Sequence, residues 1–241
     1  MENGVGGKLT RRSLMGGLAA LPLMAAAAHG QGIECAVFTP ERQDAKTPEA
    51  AIARLKAGNE RFLAGQSINC DLLQQVHDTS GGQAPFAAVV GCIDSRVPPE
   101  LVFDQRVGDI FCARVAGNFV NTDILGSLEF ATHVAGARAI VILGHSACGA
   151  IKSAVDGVEL GHITAMLKNF DPALATLGPA DGARSSANEA LVQKVADQNA
   201  LLTGQSLVQR SDILAQLVAD GKLAIASAMH DIQTGRITWL S

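Results

Sequence analysis

Phe86-Ala87-Ala88-Val89-Val90-Gly91-Cys92-Ile93-Asp94-Ser95-Arg96 and, further along, Ala139-Ile140-Val141-Ile142-Leu143-Gly144-His145-Ser146-Ala147-Cys148-Gly149 decide how this chain is read. Each opens as a short apolar run and closes on polar residues flanked by glycine. A brief apolar run without alternation reads as a strand buried on both faces. In open α/β sheets, functional groups collect where strands end and loops begin. Two such ends can bring Cys92, His145 and Cys148 to one point, with Asp94 and Arg96 beside them.

Outward from these strands, helix and turn signals alternate. Thr47 caps and Pro48 opens a helix over 48–63, with Ala50, Ala51 and Leu55 on one face. A short helix over 71–77 and a loop over 80–85 precede the first strand. Pro98 and Pro99 halt that strand, and Pro99 opens a short helix through Phe103. Residues 107–115 read as a second strand and Gly117-Asn118 as a turn. Thr122-Asp123 caps a helix to about His133, which Gly136 ends. The run at 139–144 is the most continuously apolar and so the central strand. Helices over 149–155, 161–170, 187–202 and 206–219 lead to a fourth strand at 223–229 and an edge strand at 237–240. Strands separated by helices give an α/β fold with a mainly parallel sheet and helices on both faces.

Residues 1–30 stand apart. Thr10-Arg11-Arg12-Ser13-Leu14-Met15 precedes a short apolar stretch, interrupted by Pro22, that ends in Ala25 to Ala28. That is the layout of a secretory signal, and the paired arginines resemble the twin-arginine type. A membrane anchor is the alternative, but the stretch falls short of the roughly 20 residues a span needs. Export to the periplasm or beyond is the expectation. Residues 31–46 lack periodicity and read as a linker or N-terminal arm, which leaves 47–241 as the main domain. Three basic residues and one acidic residue fall in 1–30, so 16 basic residues face 22 acidic ones in the remainder. That balance offers no basic surface for nucleic acid.

Five cysteines in an exported chain allow two bridges and one leftover. Twin-arginine cargo, however, resembles proteins that fold and take up cofactors before crossing, so metal can cap Cys92 and Cys148 first. Cys35 and Cys70 are free to pair, which sequence does not decide. Cys112 reads as a buried, inert thiol.

Two thiolates and an imidazole suit zinc, and three firm ligands leave a position open for chemistry. The bland alternative is a small buried cysteine at each strand end and a hydrogen-bonded loop histidine. Against it stand the spacing His145-x-x-Cys148 and the glycine-flanked turns. A redox pair is the weaker reading, because Cys92 has no Cys-x-x-Cys neighbour. Asp94 and Arg96, two apart in a loop, can form a bidentate pair. So paired, Asp94 can orient water at the metal; released, it can take the fourth metal position and close the site. A loop-stabilising ion pair is the alternative.

Cys-x-Asp-Ser-Arg followed by His-x-x-Cys resembles the β-class carbonic anhydrases, and the likeness runs from about Thr47 to Leu240. Arg114-Val115-Ala116-Gly117-Asn118 and Gly126-Ser127-Leu128-Glu129-Phe130 fit the same pattern. The resemblance implies reversible hydration of carbon dioxide to bicarbonate and a proton, one zinc ion per subunit, and a dimer or larger homo-oligomer. It also implies a four-stranded parallel core with an extra edge strand. By the same resemblance, Cys92, His145 and Cys148 are the zinc ligands, Asp94 and Arg96 the dyad, and Asp94 a ligand in the closed state only. Gln83 falls where plant-like members hold a glutamine that bonds substrate, and Phe111 at their apolar pocket. Phe130 stands where they carry tyrosine, which removes a hydroxyl. Regulated members carry a tryptophan where this chain has Val89, and a tyrosine near the last core strand; this chain has no tyrosine. Their bicarbonate-locked form is therefore not expected to be built in the same way.

Carbon dioxide is small and apolar, so a pocket of Phe111, Phe130 and Val97 suits it, with Gln83 and the Gly149 backbone at the polar end. Thiolates cancel much of the metal charge that acidifies water, so activity should rise on the alkaline side. Hydrolysis of carbonyl sulfide or carbon disulfide, and zinc binding without turnover, stay open as alternatives.

Overall fold

A computed structural model describes residues 35–240. The export signal read at 1–30 lies outside them. Five strands form one sheet in the order β2-β1-β3-β4-β5. They are β1 (Ala87–Gly91), β2 (Ile110–Arg114), β3 (Ala139–His145), β4 (Ala224–His230) and β5 (Ile237–Leu240). The first four are mutually parallel, and β5 adds an antiparallel edge. β3 is central and buried along its whole length, as its unbroken apolar run requires.

The pleat of β1 and β3 divides the core. Ala88, Val90, Ile140 and Ile142 face one layer; Ala87, Val89, Val141 and Leu143 face the other. Each such side chain, fully buried, contributes about 1.5–3 kcal/mol if it is a Val, Leu or Ile. The first layer holds α5 (Thr122–Glu129), α6 (Gly149–Asp156), α7 (Gly161–Leu167), α8 (Asp171–Leu174), α9 (Glu189–Arg210) and α10 (Asp212–Ala219). The second holds α2 (Pro48–Leu63) and α4 (Pro99–Val102). Helices thus cover both faces, as the alternation of patterns predicts.

One alternative is decided and two local expectations need correction. First, of the linker or arm read at 31–46, residues 35–46 are an arm with structure of its own. Thr39 caps α1 (Pro40–Asp44), and Phe38 is buried against Phe86 with ring centroids 5.1 Å apart. Gln43 Nε2 donates to Pro85 O at 2.6 Å and Ala135 O at 2.7 Å, and a Cys35–Cys70 disulfide ties the arm to the residue before the cap of α3 (Leu72–Thr79). Second, no helix break occurs at Ser206, whose hydroxyl bonds back to Thr203 O inside α9. The break comes at Ser211, which caps α10 by accepting from Leu214 N. Third, Asn121 rather than Thr122 caps α5, and the last turn before Gly136 widens into a π-turn over Phe130–Val134.

Candidate metal centre

β1 and β3 run side by side in register, Gly91 opposite Leu143, so their carboxyl ends emerge together. Cys92 follows β1 directly, and His145 is the last residue of β3. Ala147 then adopts φ 53°, a left-handed conformation that costs an alanine about 1 kcal/mol. That bend returns the chain so that Cys148 stands at the N-cap of α6. The Sγ atoms of Cys92 and Cys148 and a ring nitrogen of His145 lie within 4.8 Å of one another, and all three residues are buried. The sequence-predicted ligand trio is therefore brought together.

The donor set fits a divalent cation. His145 Nδ1 lies 2.9 Å from Ser146 O, a bond that requires the proton on Nδ1 and leaves the Nε2 lone pair free. Nε2 is buried without a protein partner, an arrangement that is costly unless a metal takes it. Cys92 is drawn down, chiefly by a hydrogen bond from Cys148, with His145 and the Gly117 N–H adding to it against the cost of burial. Cys148 is pushed up, because it shares its hydrogen with Cys92 and is itself buried. The pair thus gives up one proton readily and holds the second until a cation compensates.

Asp94 and Arg96 form the bidentate pair predicted for them. Asp94 Oδ1 accepts from Arg96 Nε at 2.9 Å and Arg96 N at 3.0 Å, and Oδ2 accepts from Nη2 at 2.7 Å. Arg96 holds the Asp94 carboxyl far below the usual carboxylate range. Oδ2 lies 3.9 Å from His145 Nε2, so the dyad borders the ligand trio while Asp94 remains committed to Arg96.

The expected pocket residues divide. Phe111 and Phe130 line one concavity of about 800 Å³ between β2 and α5, together with Cys112 and Arg114. Gly149 is exposed at the start of α6, next to Cys148. Val97 does not line a pocket: it is fully buried in the second core layer. The turn closed by Val97 N–H to Asp94 O carries the chain back inside. Gln83 is exposed ahead of β1, whereas Cys92 follows it, so the strand separates them by roughly 13 Å or more at 3.3 Å per residue. Cys112 is half-buried, and burial pushes its thiol up, which keeps it inert.

Three supporting hydrogen bonds, from two residues, escaped the sequence reading. Gly117 N–H donates to Cys92 Sγ at 3.2 Å, and Arg114 donates to Cys92 O at 2.8 Å and Asp94 O at 2.6 Å. Both residues lie in Arg114-Val115-Ala116-Gly117-Asn118, a stretch already set apart by resemblance but carrying no metal-ligand chemistry of its own.

A family model described as carbonic anhydrase matches residues 87–237. Carbonic anhydrase 2 of Mycobacterium tuberculosis is 36% identical over 197 residues, covering 78% of this chain and 91% of that protein. One of two tetrameric β-carbonic anhydrases from Sordaria macrospora superposes with a TM-score of 0.62 at 27% identity, covering 70% of this chain and 90% of that one. The Coccomyxa β-carbonic anhydrase in complex with acetazolamide shares the fold, with a TM-score of 0.62 at 23% identity, over 68% of this chain and 75% of that one. With the sheet, the ligand trio and the dyad described above, these likenesses identify the chain as a member of the β-class carbonic anhydrase family, enzymes that reversibly hydrate carbon dioxide.

Proposed function

We propose that this chain hydrates carbon dioxide reversibly, yielding bicarbonate and a proton, at one zinc ion per subunit held by Cys92, His145 and Cys148. The observation that carries the reading is the buried trio of ligand atoms within 4.8 Å, with His145 Nε2 lacking a hydrogen-bond partner. Zinc in such a site would supply the Lewis acidity that makes water nucleophilic, with the two thiolates moving that activation to the alkaline side. Asp94, held in place by Arg96 and bordering the trio, would be the acceptor that orients a water at such a site. Its three contacts with Arg96 favour the open arrangement; taking the fourth ligand position would require breaking them. Phe111 and Phe130 supply apolar surface for carbon dioxide, and the Gly149 N–H can receive a developing negative oxygen.

The working unit in this reading is a homodimer or a larger homo-oligomer. β2 is the outer strand on its side of the sheet, and Phe130, 54% exposed, sits over the concavity beside it. An open edge next to an apolar patch calls for a partner. Gln83, on the wrong end of β1 for its own trio, would serve the trio of a second copy. That use of Gln83, with Val89 in place of the regulated members' tryptophan, supports the plant-like pattern, from which Phe130 in place of tyrosine departs. Export by a twin-arginine route is supported by Arg11-Arg12 and its apolar sequel, and by the Cys35–Cys70 disulfide, which belongs to oxidising compartments. Among the described residues, no helix is long and apolar enough to cross a membrane.

Stopped-flow hydration of carbon dioxide, with zinc counted per subunit, tests the proposal. The expected result is about one zinc per chain and turnover that chelation abolishes and zinc restores. Folded, zinc-loaded protein without turnover would overturn it.

A further inference from the structure

We propose that Asn199 is a positioning residue for the metal centre, acting on Cys92 through Gly117; the inference rests on the zinc reading above. Asn199 lies midway along α9, 3% exposed, and its Nδ2 donates to Gly117 O at 2.9 Å in the buried interior. The same glycine, through its N–H, donates to Cys92 Sγ. One residue therefore receives a hydrogen bond from the long helix on one side of its Cα and delivers one to the ligand sulfur on the other.

This glycine needs an anchor. Gly117 has φ 82° and Asn118 has φ 48°, so two successive residues are left-handed. No side chain can replace the glycine, because a Cβ there would stand 2.3 Å from Phe170 Cζ and 3.3 Å from Ala150 Cβ. Glycine is the residue with the widest backbone freedom, and nothing in its own covalent structure holds its N–H toward the sulfur. Asn199 fixes the carbonyl side of that Cα and so limits the rotation that would swing the N–H away.

An N–H bond to a ligand sulfur draws electron density from it and orients it. Partners of this outer kind typically change metal affinity by 10–100-fold when removed. Without the bond the sulfur donates more strongly, the metal is less electrophilic, and the charge-transfer transition from sulfur to metal falls in energy. A residue that merely satisfied the buried Gly117 carbonyl would change stability without touching these quantities.

Cobalt(II) substitution gives a direct readout. In Asn199→Ala, the sulfur-to-cobalt charge-transfer band should move to longer wavelength, and cobalt affinity should fall by about tenfold because the loss of a pre-oriented sulfur outweighs its stronger donation. In the zinc form, the pH–rate profile should shift to the alkaline side. Ser227→Ala is the matched control. The Ser227 hydroxyl donates to Ala200 O at 2.8 Å, also buried and one residue along the same helix. That variant should lose stability and leave band, affinity and profile in place. If Asn199→Ala does not accumulate folded, Asn199→Ser carries the same expectations, since it keeps a polar group but is too short to reach Gly117 O. A wild-type chain with no thiolate–cobalt band would sink the metal reading itself. A normal wild-type band that neither Asn199 variant moves would overturn the positioning role alone.

Discussion

Asp94-Ser95-Arg96 and Asp104-Gln105-Arg106 share a spacing and a pair of charges, yet the two loops use them differently. In the first, the carboxylate and guanidinium face each other in a bidentate pair whose arginine side chain is 54% exposed. In the second, Asp104 adopts φ 48° and turns its carboxylate to Arg61 Nε at 2.5 Å and Ile68 N at 3.2 Å. Arg106, its side chain 3% exposed, donates to the Asp104 carbonyl, and its N–H reaches Asp109, which also pairs with Arg54 at 3.6 Å. Arg54 and Arg61 belong to α2, so the second loop ties that helix to the chain after α4. The first loop is tied to β2, whose Arg114 donates to the Cys92 and Asp94 carbonyls, and it borders the ligand trio. Spacing makes an ion pair possible; position at the strand end beside the two thiols is what sets the first pair apart from the second.

Variants can break this contrast, and the largest effect comes from the trio that gives the first loop its meaning. Cys148→Ser should lose zinc and hydration together, as metal analysis and stopped-flow rates on one sample would show. Next, Asp94→Asn should keep zinc and lower turnover about 10²–10³-fold, in the range of a lost acceptor in acid–base chemistry, with the melting temperature little changed. Asp104→Asn should do the reverse. It leaves Arg61 and Arg106 without their carboxylate and should lower the unfolding free energy by about 3 kcal/mol, while turnover per zinc-loaded chain stays as it was. Denaturant titration beside kinetics separates the two; equal losses of turnover would erase the distinction.

The smallest effect concerns acid. Arg96 holds the Asp94 carboxyl below its ordinary value of 3.8, so its contribution is complete above that value and drains away as pH falls further. Burial holds the Asp109 carboxyl above 3.8, so the folded chain takes its proton more readily and gains stability as pH falls through that window. Stability curves across the acid range should therefore flatten in opposite senses for Asp94→Asn and Asp109→Asn. Curves that move the same way would show that the two loops are less different than their geometry implies.

The ligand trio and the sheet order around it were legible because their signals are local. An unbroken apolar run, a glycine and a cysteine or histidine fall within a few residues of one another in both β1 and β3. What supports the trio was not legible. Gly117 bonds Cys92 across 25 residues of chain, and Asn199 bonds Gly117 across a further 82; Asn199 lies in no motif, and the motif that holds Gly117 gives its N–H no role. Val97, next to the dyad, was assigned outward by proximity, but the turn at Asp94 sends it inward. The arm escaped because α1 has only five residues, too few to show a period, and its burial depends on a distant phenylalanine. The break after Arg210 rather than near Ser206 turned on which serine hydroxyl accepts a backbone N–H: Ser211 does, from Leu214, while Ser206 bonds back to Thr203 O within α9.

That arm bears on where the chain can be cut. A fragment trimmed to residues 87–237, the stretch the family model matches, or begun at Thr47, would lose the amide of Gln43 from two carbonyls and strip the ring of Phe38 from Phe86. The smallest piece that folds unaided should therefore begin no later than Cys35, some fifty residues before the first strand, and shorter fragments should turn up as insoluble protein.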